Sequence, residues 1–129
     1  RRGRCRILVV DDHSVVRRGI VALLAKEPDL VVCGEAASRE EALAAVKELR
    51  PDLMLVDITL KDGSGLDLIR ETAGRHPPVK SLVLSMHDEA LYAEKALRAG
   101  ALGYVMKENA DEVIVDAIRT VMKGSVFVR

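Results

Sequence analysis

Leu8-Val9-Val10-Asp11-Asp12-His13-Ser14 is the stretch on which the fold turns. An apolar run that stops in two adjacent carboxylates reads as a buried strand delivering acids to the edge of a sheet. Side by side those acids repel, so a cation or a set of hydrogen bonds must be waiting for them. The same rhythm recurs along the chain, with short Val, Leu and Ile runs at 7–10, 30–33, 53–56 and 81–84 and a weaker one at 103–105. Each is followed by a segment with helical period: Val16, Ile20, Leu23, Leu24; then Leu43, Val46, Leu49; then Leu66, Ile69, Ala73; then Leu91, Ala93, Ala96, Leu97; and Val113, Ile114, Ala117, Ile118, Val121. Ser38 with Glu41 and Asn109 with Glu112 have capping-box spacing, and Gly34, Gly100 and Gly124 mark element ends. Strands too apolar for a solvated face, alternating strictly with helices, predict a parallel sheet covered on both sides, a five-stranded doubly wound sandwich. Residues 124–129 read as the start of a tether rather than as a short strand.

Bulk composition narrows the classes. A chain of 129 residues with 49% apolar and 31% charged content fits one globular domain. Twenty basic and twenty acidic residues cancel, so total charge points to neither a nucleic-acid nor a membrane surface. The basic start is backed by an apolar run that stops at Val10, too short for a signal peptide or a membrane span, which predicts a cytoplasmic address. Cys5 and Cys33 lack metal-ligand spacing and read as buried, reduced thiols. Gly63-Ser64-Gly65 lacks the spacing of a dinucleotide fingerprint, and no P-loop sequence is present.

Ligands of open α/β sheets bind beyond the carboxyl ends of the strands. There the chain places Asp11 and Asp12 after the first strand, Asp57 after the third, Ser85 after the fourth and Lys107 after the fifth. If the sheet order is 2-1-3-4-5, strands one and three are neighbours and the three aspartates converge. Carboxylates about 5 Å apart at an effective dielectric near 20 repel by roughly 3 kcal/mol per pair. A hard divalent cation resolves this, and Mg²⁺ suits carboxylates and phosphate best. Three acids against Mg²⁺ and Lys107 sum to zero, which leaves a pocket able to accept a phosphoryl group. Singly, each of these residues has a bland role as helix cap, turn cap or solvated cation; their conjunction at four strand ends of one sheet does not.

The motifs Val9-Val10-Asp11-Asp12-His13, Leu55-Val56-Asp57-Ile58, Leu84-Ser85-Met86-His87-Asp88 and Gly103-Tyr104-Val105-Met106-Lys107, in this order, resemble the receiver domain of two-component response regulators. The likeness runs from Arg6 to Lys123 and implies a flavodoxin-like (βα)5 three-layer sandwich, with residues 1–123 as the receiver and 124–129 as the beginning of a linker. It implies that Asp57 takes a phosphoryl group from a sensor histidine kinase, and that Asp11 and Asp12 hold Mg²⁺ together with Asp57 and the Thr59 carbonyl. It further implies that Lys107 and Ser85 contact the phosphoryl oxygens, with Tyr104 moving inward as a switch that reshapes the helix 4, strand 5 and helix 5 face. Thr59 and His87 stand at rim positions that tune dephosphorylation. Such a protein is a switch, not a turnover enzyme. The phrasing around Leu84–Asp88 and Met106-Lys107-Glu108-Asn109-Ala110 is most similar to the subclass with LuxR-type helix-turn-helix output domains, so DNA would be reached only through a C-terminal output domain absent here, and a homodimer on phosphorylation is expected. Two positions depart from the family pattern: Lys61 and Glu108 stand where prolines are common. Neither touches the phosphoryl chemistry.

The enzymatic rival, a Mg²⁺-dependent phosphohydrolase with an aspartyl nucleophile, expects Asp-x-Asp after the first strand. Here the acids are contiguous and the candidate nucleophile follows the third strand. A flavin-binding domain of similar fold would need a hydroxyl-rich loop after strand one. His13 at the helix start reads as solvent-exposed, for want of a second nearby ligand to make a transition-metal site, and His76 as a loop residue.

Overall fold

A computed structural model of the chain describes residues 4–58, 60, 65–74, 79–85 and 90–128. Strand and helix alternate as β1 (Cys5–Val10), α1 (Ser14–Leu24), β2 (Leu30–Ala36), α2 (Arg39–Leu49), β3 (Leu53–Asp57), α3 (Gly65–Ala73), β4 (Lys80–Ser85), α4 (Ala90–Ala99), β5 (Gly103–Met106), α5 (Ala110–Met122) and β6 (Phe127–Val128). All strand pairs are parallel, in the order β2-β1-β3-β4-β5-β6. The expected order 2-1-3-4-5 therefore stands within a six-stranded sheet, in a flavodoxin-like layout. The sheet grows one way from β1 to β2 and the other way from β1 to β3, and a crevice opens at that reversal.

Side-chain alternation sorts the core onto the two faces. Ile7, Val9, Leu53, Leu55, Leu82, Leu84 and Val105 pack under α1 and α5, against Ile20, Leu24, Ile114, Ile118 and Val121. Their strand neighbours Leu8, Val10, Met54, Val56, Val83 and Tyr104 face the other way, against Ala42 and Val46 of α2, Leu68 and Ile69 of α3, and Ala96 and Ala99 of α4. Both faces being covered is why the strands read as unbroken apolar runs. Each fully buried Leu or Ile contributes about 1.5–3 kcal/mol by leaving water.

Three features differ from the sequence reading. First, the tail is no free tether: Phe127 N donates to Leu102 O at 2.9 Å, and Phe127 and Val128 pair with Gly103 and Tyr104. A Cβ on Gly103 would run into Leu82 Cδ1 of β4 and stand 3.1 Å from Phe127 O, so glycine makes room for the neighbours on both sides of β5. A two-residue strand is too short to show a period, and its place is set by the open edge of β5. Second, Gly34 lies inside β2 rather than at an end, where the register against β1 slips between Ile7 and Leu8. A Cβ there would come within 2.6 Å of Leu49 Cδ1, so the glycine makes room for α2. Third, Asn109 makes no side-chain cap to α5, because Lys107–Asn109 already form a 3₁₀ turn that leads into the helix. Ser38 does cap α2, accepting from Glu41 N at 3.1 Å.

Candidate functional site

The crevice is built by the ladder itself. Asp11 N donates to Ala36 O at 3.0 Å, one step past the end of β1, which holds Asp11 at the sheet edge. His13 then precedes α1, and its backbone N donates to Asp11 Oδ1 at 2.8 Å. β3 ends on Asp57, which lies opposite Leu84 of β4. Gly65, the first residue of α3, donates its N–H to Ile58 O at 3.0 Å, and a Cβ there would run into the Asp57 carbonyl oxygen. Only glycine allows α3 to start against that peptide. Ser85, at the end of β4, pairs with Met106, and Lys107 follows at once.

Within this frame Asp11 and Asp57 are 1% and 2% exposed and Ser85 is wholly buried. Lys107 Nζ lies 3.0 Å from Asp11 Oδ2 and 3.3 Å from Asp57 Oδ2. His13 Nδ1 lies 3.1 Å from Asp11 Oδ1, 3.1 Å from Asp12 Oδ1 and 3.9 Å from Asp57 Oδ2. One ligand-capable atom from each of Asp11, Asp12, His13 and Asp57 falls within 4.8 Å of the others. Three carboxylates meet one ammonium, and at such separations each like-charged pair costs roughly 3 kcal/mol at an effective dielectric near 20. Asp11 Oδ2 and Asp12 Oδ1 are buried with no hydrogen-bond partner among the described residues. Buried carboxylate oxygens with only the Lys107 ammonium and the His13 ring beside them, in a site with excess negative charge, fit a hard oxygen-seeking dication, and the acidic pocket is compatible with Mg²⁺.

Of the residues singled out in the sequence, Asp11, Asp12, Asp57 and Lys107 come together here, with Ser85 at the adjoining strand end. Tyr104 on β5 is 3% exposed and belongs to the α2–α4 side of the core, so its ring is already inside. Thr59 and His87 lie outside the described residues. Two contributors were missed. His13 is 63% exposed, as expected, yet its Nδ1 has as neighbours the adjacent Asp11 and Asp12 carboxylates and, from the end of β3, that of Asp57. Arg17, one turn into α1, donates from Nη1 to Asp11 O and pairs through Nε with Glu35 Oε1 at 3.0 Å, fastening β1, α1 and β2 around the acids. Its place four residues after the helix cap was the only available signal.

Comparison with known proteins agrees with this geometry. The family described as the response regulator receiver domain matches residues 7–119. The chain is 42% identical over 121 residues to the DNA-binding transcriptional activator DevR/DosR of Mycobacterium tuberculosis, covering 92% of this chain and 55% of that protein. It is 40% identical over 124 residues to the oxygen regulatory protein NreC of Staphylococcus aureus, covering 95% of this chain and 57% of that one. The chain thus spans about half the length of the curated relatives it matches. Among solved structures, a LuxR-family two-component response regulator from an Aurantimonas species superposes with a TM-score of 0.91 at 34% identity, over 96% of this chain and 89% of that one.

Proposed function

Since the chain belongs to the response regulator receiver domain family, in its LuxR-type two-component branch, we propose that it is a phosphorylation-dependent switch with Asp57 as the phosphoryl acceptor. The carrying observation is that Asp57, buried at the end of β3, has Lys107 Nζ at 3.3 Å and two further carboxylates beside it. A carboxylate attacks phosphorus readily only where cations neutralise the oxygens of the transition state. An Asp57 oxygen forms the new O–P bond while the P–N bond of a kinase phosphohistidine breaks, its electron pair returning to the imidazole. Lys107, bridging Asp11 and Asp57, holds Asp57 in place and then faces the added phosphoryl oxygens. When bound, Mg²⁺, held by Asp11, Asp12 and Asp57 with the Thr59 carbonyl, supplies the charge that brings the site to neutrality.

The Ser85 hydroxyl donates to the new phosphoryl group, and Tyr104 follows it as the second half of the switch. The inward ring is the arrangement that phosphorylation favours, and an outward ring is the state it depletes. His87 and Thr59 set the lifetime of the phosphoryl group. Residues 1–123 form the receiver and 124–129 begin the connection to an output domain, β6 being its first pairing. DNA binding, as the name of the DevR/DosR relative carries it, belongs to that output domain. The protein signals from the cytoplasm, in keeping with the absence among the described residues of any helix long and apolar enough to cross a membrane, and phosphorylation promotes a homodimer. It is a signalling protein, not a turnover enzyme.

Incubation with acetyl phosphate and Mg²⁺, followed by intact-mass spectrometry, tests the reading. One added phosphoryl group is expected on the wild type and none on Asp57→Asn. Uptake that survives the substitution moves the acceptor elsewhere and ends the proposal.

A further inference from the structure

The His13 ring has no role in the switch just described, yet it sits at the mouth of the acid cluster. Metal bonds of about 2.1 Å at right angles place neighbouring donor atoms about 3 Å apart and opposite ones about 4.2 Å apart. His13 Nδ1 stands 3.1 Å from both Asp11 Oδ1 and Asp12 Oδ1 and 3.9 Å from Asp57 Oδ2. Those separations are the edges and near-diagonal of an octahedron with a nitrogen at one corner. The four-residue set closes within 4.8 Å, a few tenths wider than such a shell and within the reach of small rotamer changes.

Two independent features point to a missing ligand rather than to a finished hydrogen-bond network. Asp11 is 1% exposed and the Asp12 side chain 8%; Asp12 aims a buried Oδ1 without a hydrogen-bond partner into the cluster, and Asp11 Oδ2 there faces only the Lys107 ammonium at 3.0 Å. The ring also adds little to local structure: it makes no cap to α1, and its 3.1 Å hydrogen bond to Asp11 Oδ1 duplicates the one that oxygen already accepts from the backbone N of His13 at 2.8 Å.

We propose that His13 is a nitrogen ligand of the metal site, giving this receiver a mixed imidazole and carboxylate donor set that favours a later transition-metal dication such as Ni²⁺ over Mg²⁺. Carboxylate and carbonyl oxygens suit Mg²⁺ and Mn²⁺, whereas imidazole suits Ni²⁺, Cu²⁺ and Zn²⁺, and affinity rises along that series. The inference rests on the metal site of the proposed function but concerns which ions it takes. Mg²⁺ gains nothing from the ring, so two dications are separated by one side chain.

Isothermal titration of the tag-free, metal-stripped chain with Ni²⁺ and with Mg²⁺ reads this directly. His13→Ala is expected to weaken Ni²⁺ at least tenfold, since even outer-shell partners of metal ligands are worth about 10–100-fold, while Mg²⁺ affinity stays unchanged. Asp12→Asn is expected to weaken both. Ni²⁺ affinity unaffected by His13→Ala, or Ni²⁺ and Mg²⁺ falling together in that variant, overturns the assignment of His13 and leaves phosphoryl transfer untouched. Absence of Mg²⁺ binding in the wild type overturns the metal site itself.

Discussion

The two ends of the sheet handle charge in opposite ways. At the amino ends of the strands the acids are met by hydrogen-bond donors of Arg119 and Arg6. Arg119 of α5 reaches Glu27 and Asp29, both at 2.9 Å, and Asp52 accepts from Arg6 N at 2.8 Å while the Arg6 guanidinium donates to Leu49 O. The Arg119 hydrogen bond holds the Asp29 carboxyl below the usual carboxylate range, and Asp29 and Glu27 together raise Arg119 above its own. At the carboxyl ends, Asp11 and Asp57 share Lys107, and with Asp12 they are otherwise turned on one another. The first end is complete as folded; the second is built for something that arrives. Stability and function are therefore separated along the strand axis, and the same kind of substitution should act with opposite sign at the two ends.

The largest effect is expected at Lys107. It is 11% exposed and is the ammonium between two buried carboxylates, so Lys107→Met leaves charges unpaired and costs about 3 kcal/mol. Urea unfolding in EDTA measures this, and Mg²⁺ should restore part of the loss. Next comes the reversal of sign. Asp57→Asn removes two like-charged contacts against one lost contact to Lys107, and metal-free protein should gain about 1 kcal/mol. Asp29→Asn, at the other end, should lower the melting temperature. If both substitutions shift melting the same way, the contrast between the ends is broken. Mg²⁺ sharpens it further: at a hundred times its dissociation constant it stabilises the wild type by about 2.7 kcal/mol, an increment that should vanish in Asp12→Asn and persist in Asp29→Asn.

Much of this division was legible beforehand. The apolar runs ending at Val10, Val56 and Leu84 fixed strands whose next residues are Asp11, Asp57 and Ser85, because a period of two and a sharp end leave little freedom. The acid cluster followed from sheet order alone. What stayed hidden depends on contacts that no local pattern encodes. Gly34 resembled a strand end because its purpose, space for Leu49, comes from the next helix. β6 is held by the β5 edge and not by its own period. His13 lay beside the acids in sequence, but only the meeting of β1 with β3 gives it a carboxylate from Asp57.

A smaller effect belongs to the amino end. Because the Asp29 carboxyl is depressed in the folded chain, the stability it contributes is present above the ordinary carboxylate range and is lost as pH falls through the depressed value. Arg119→Ala should therefore lower melting slightly at pH 7, less so in high salt, and hardly at all at pH 2. Calorimetry across that range checks it, and a deficit of equal size at pH 2 would show that Arg119 acts through packing instead.

The smallest effect concerns Cys5, at the start of β1. Burial pushes its thiol up to about 11, with the Asp52 and Asp29 carboxylates adding to the shift, and burial raises Cys33 as well. A raised thiol stabilises fully below its unfolded value of 9.0 and loses that contribution as pH rises through about 11. At pH 8 the thiolate fraction is then about a hundredfold below that of a free thiol, and iodoacetamide should label Cys5 correspondingly slowly. Asp52→Asn should speed the labelling by less than unfolding does, since burial is the larger cause of the shift. Labelling as fast as in a short peptide would mean that the amino end opens readily, and that its paired charges do not hold it shut.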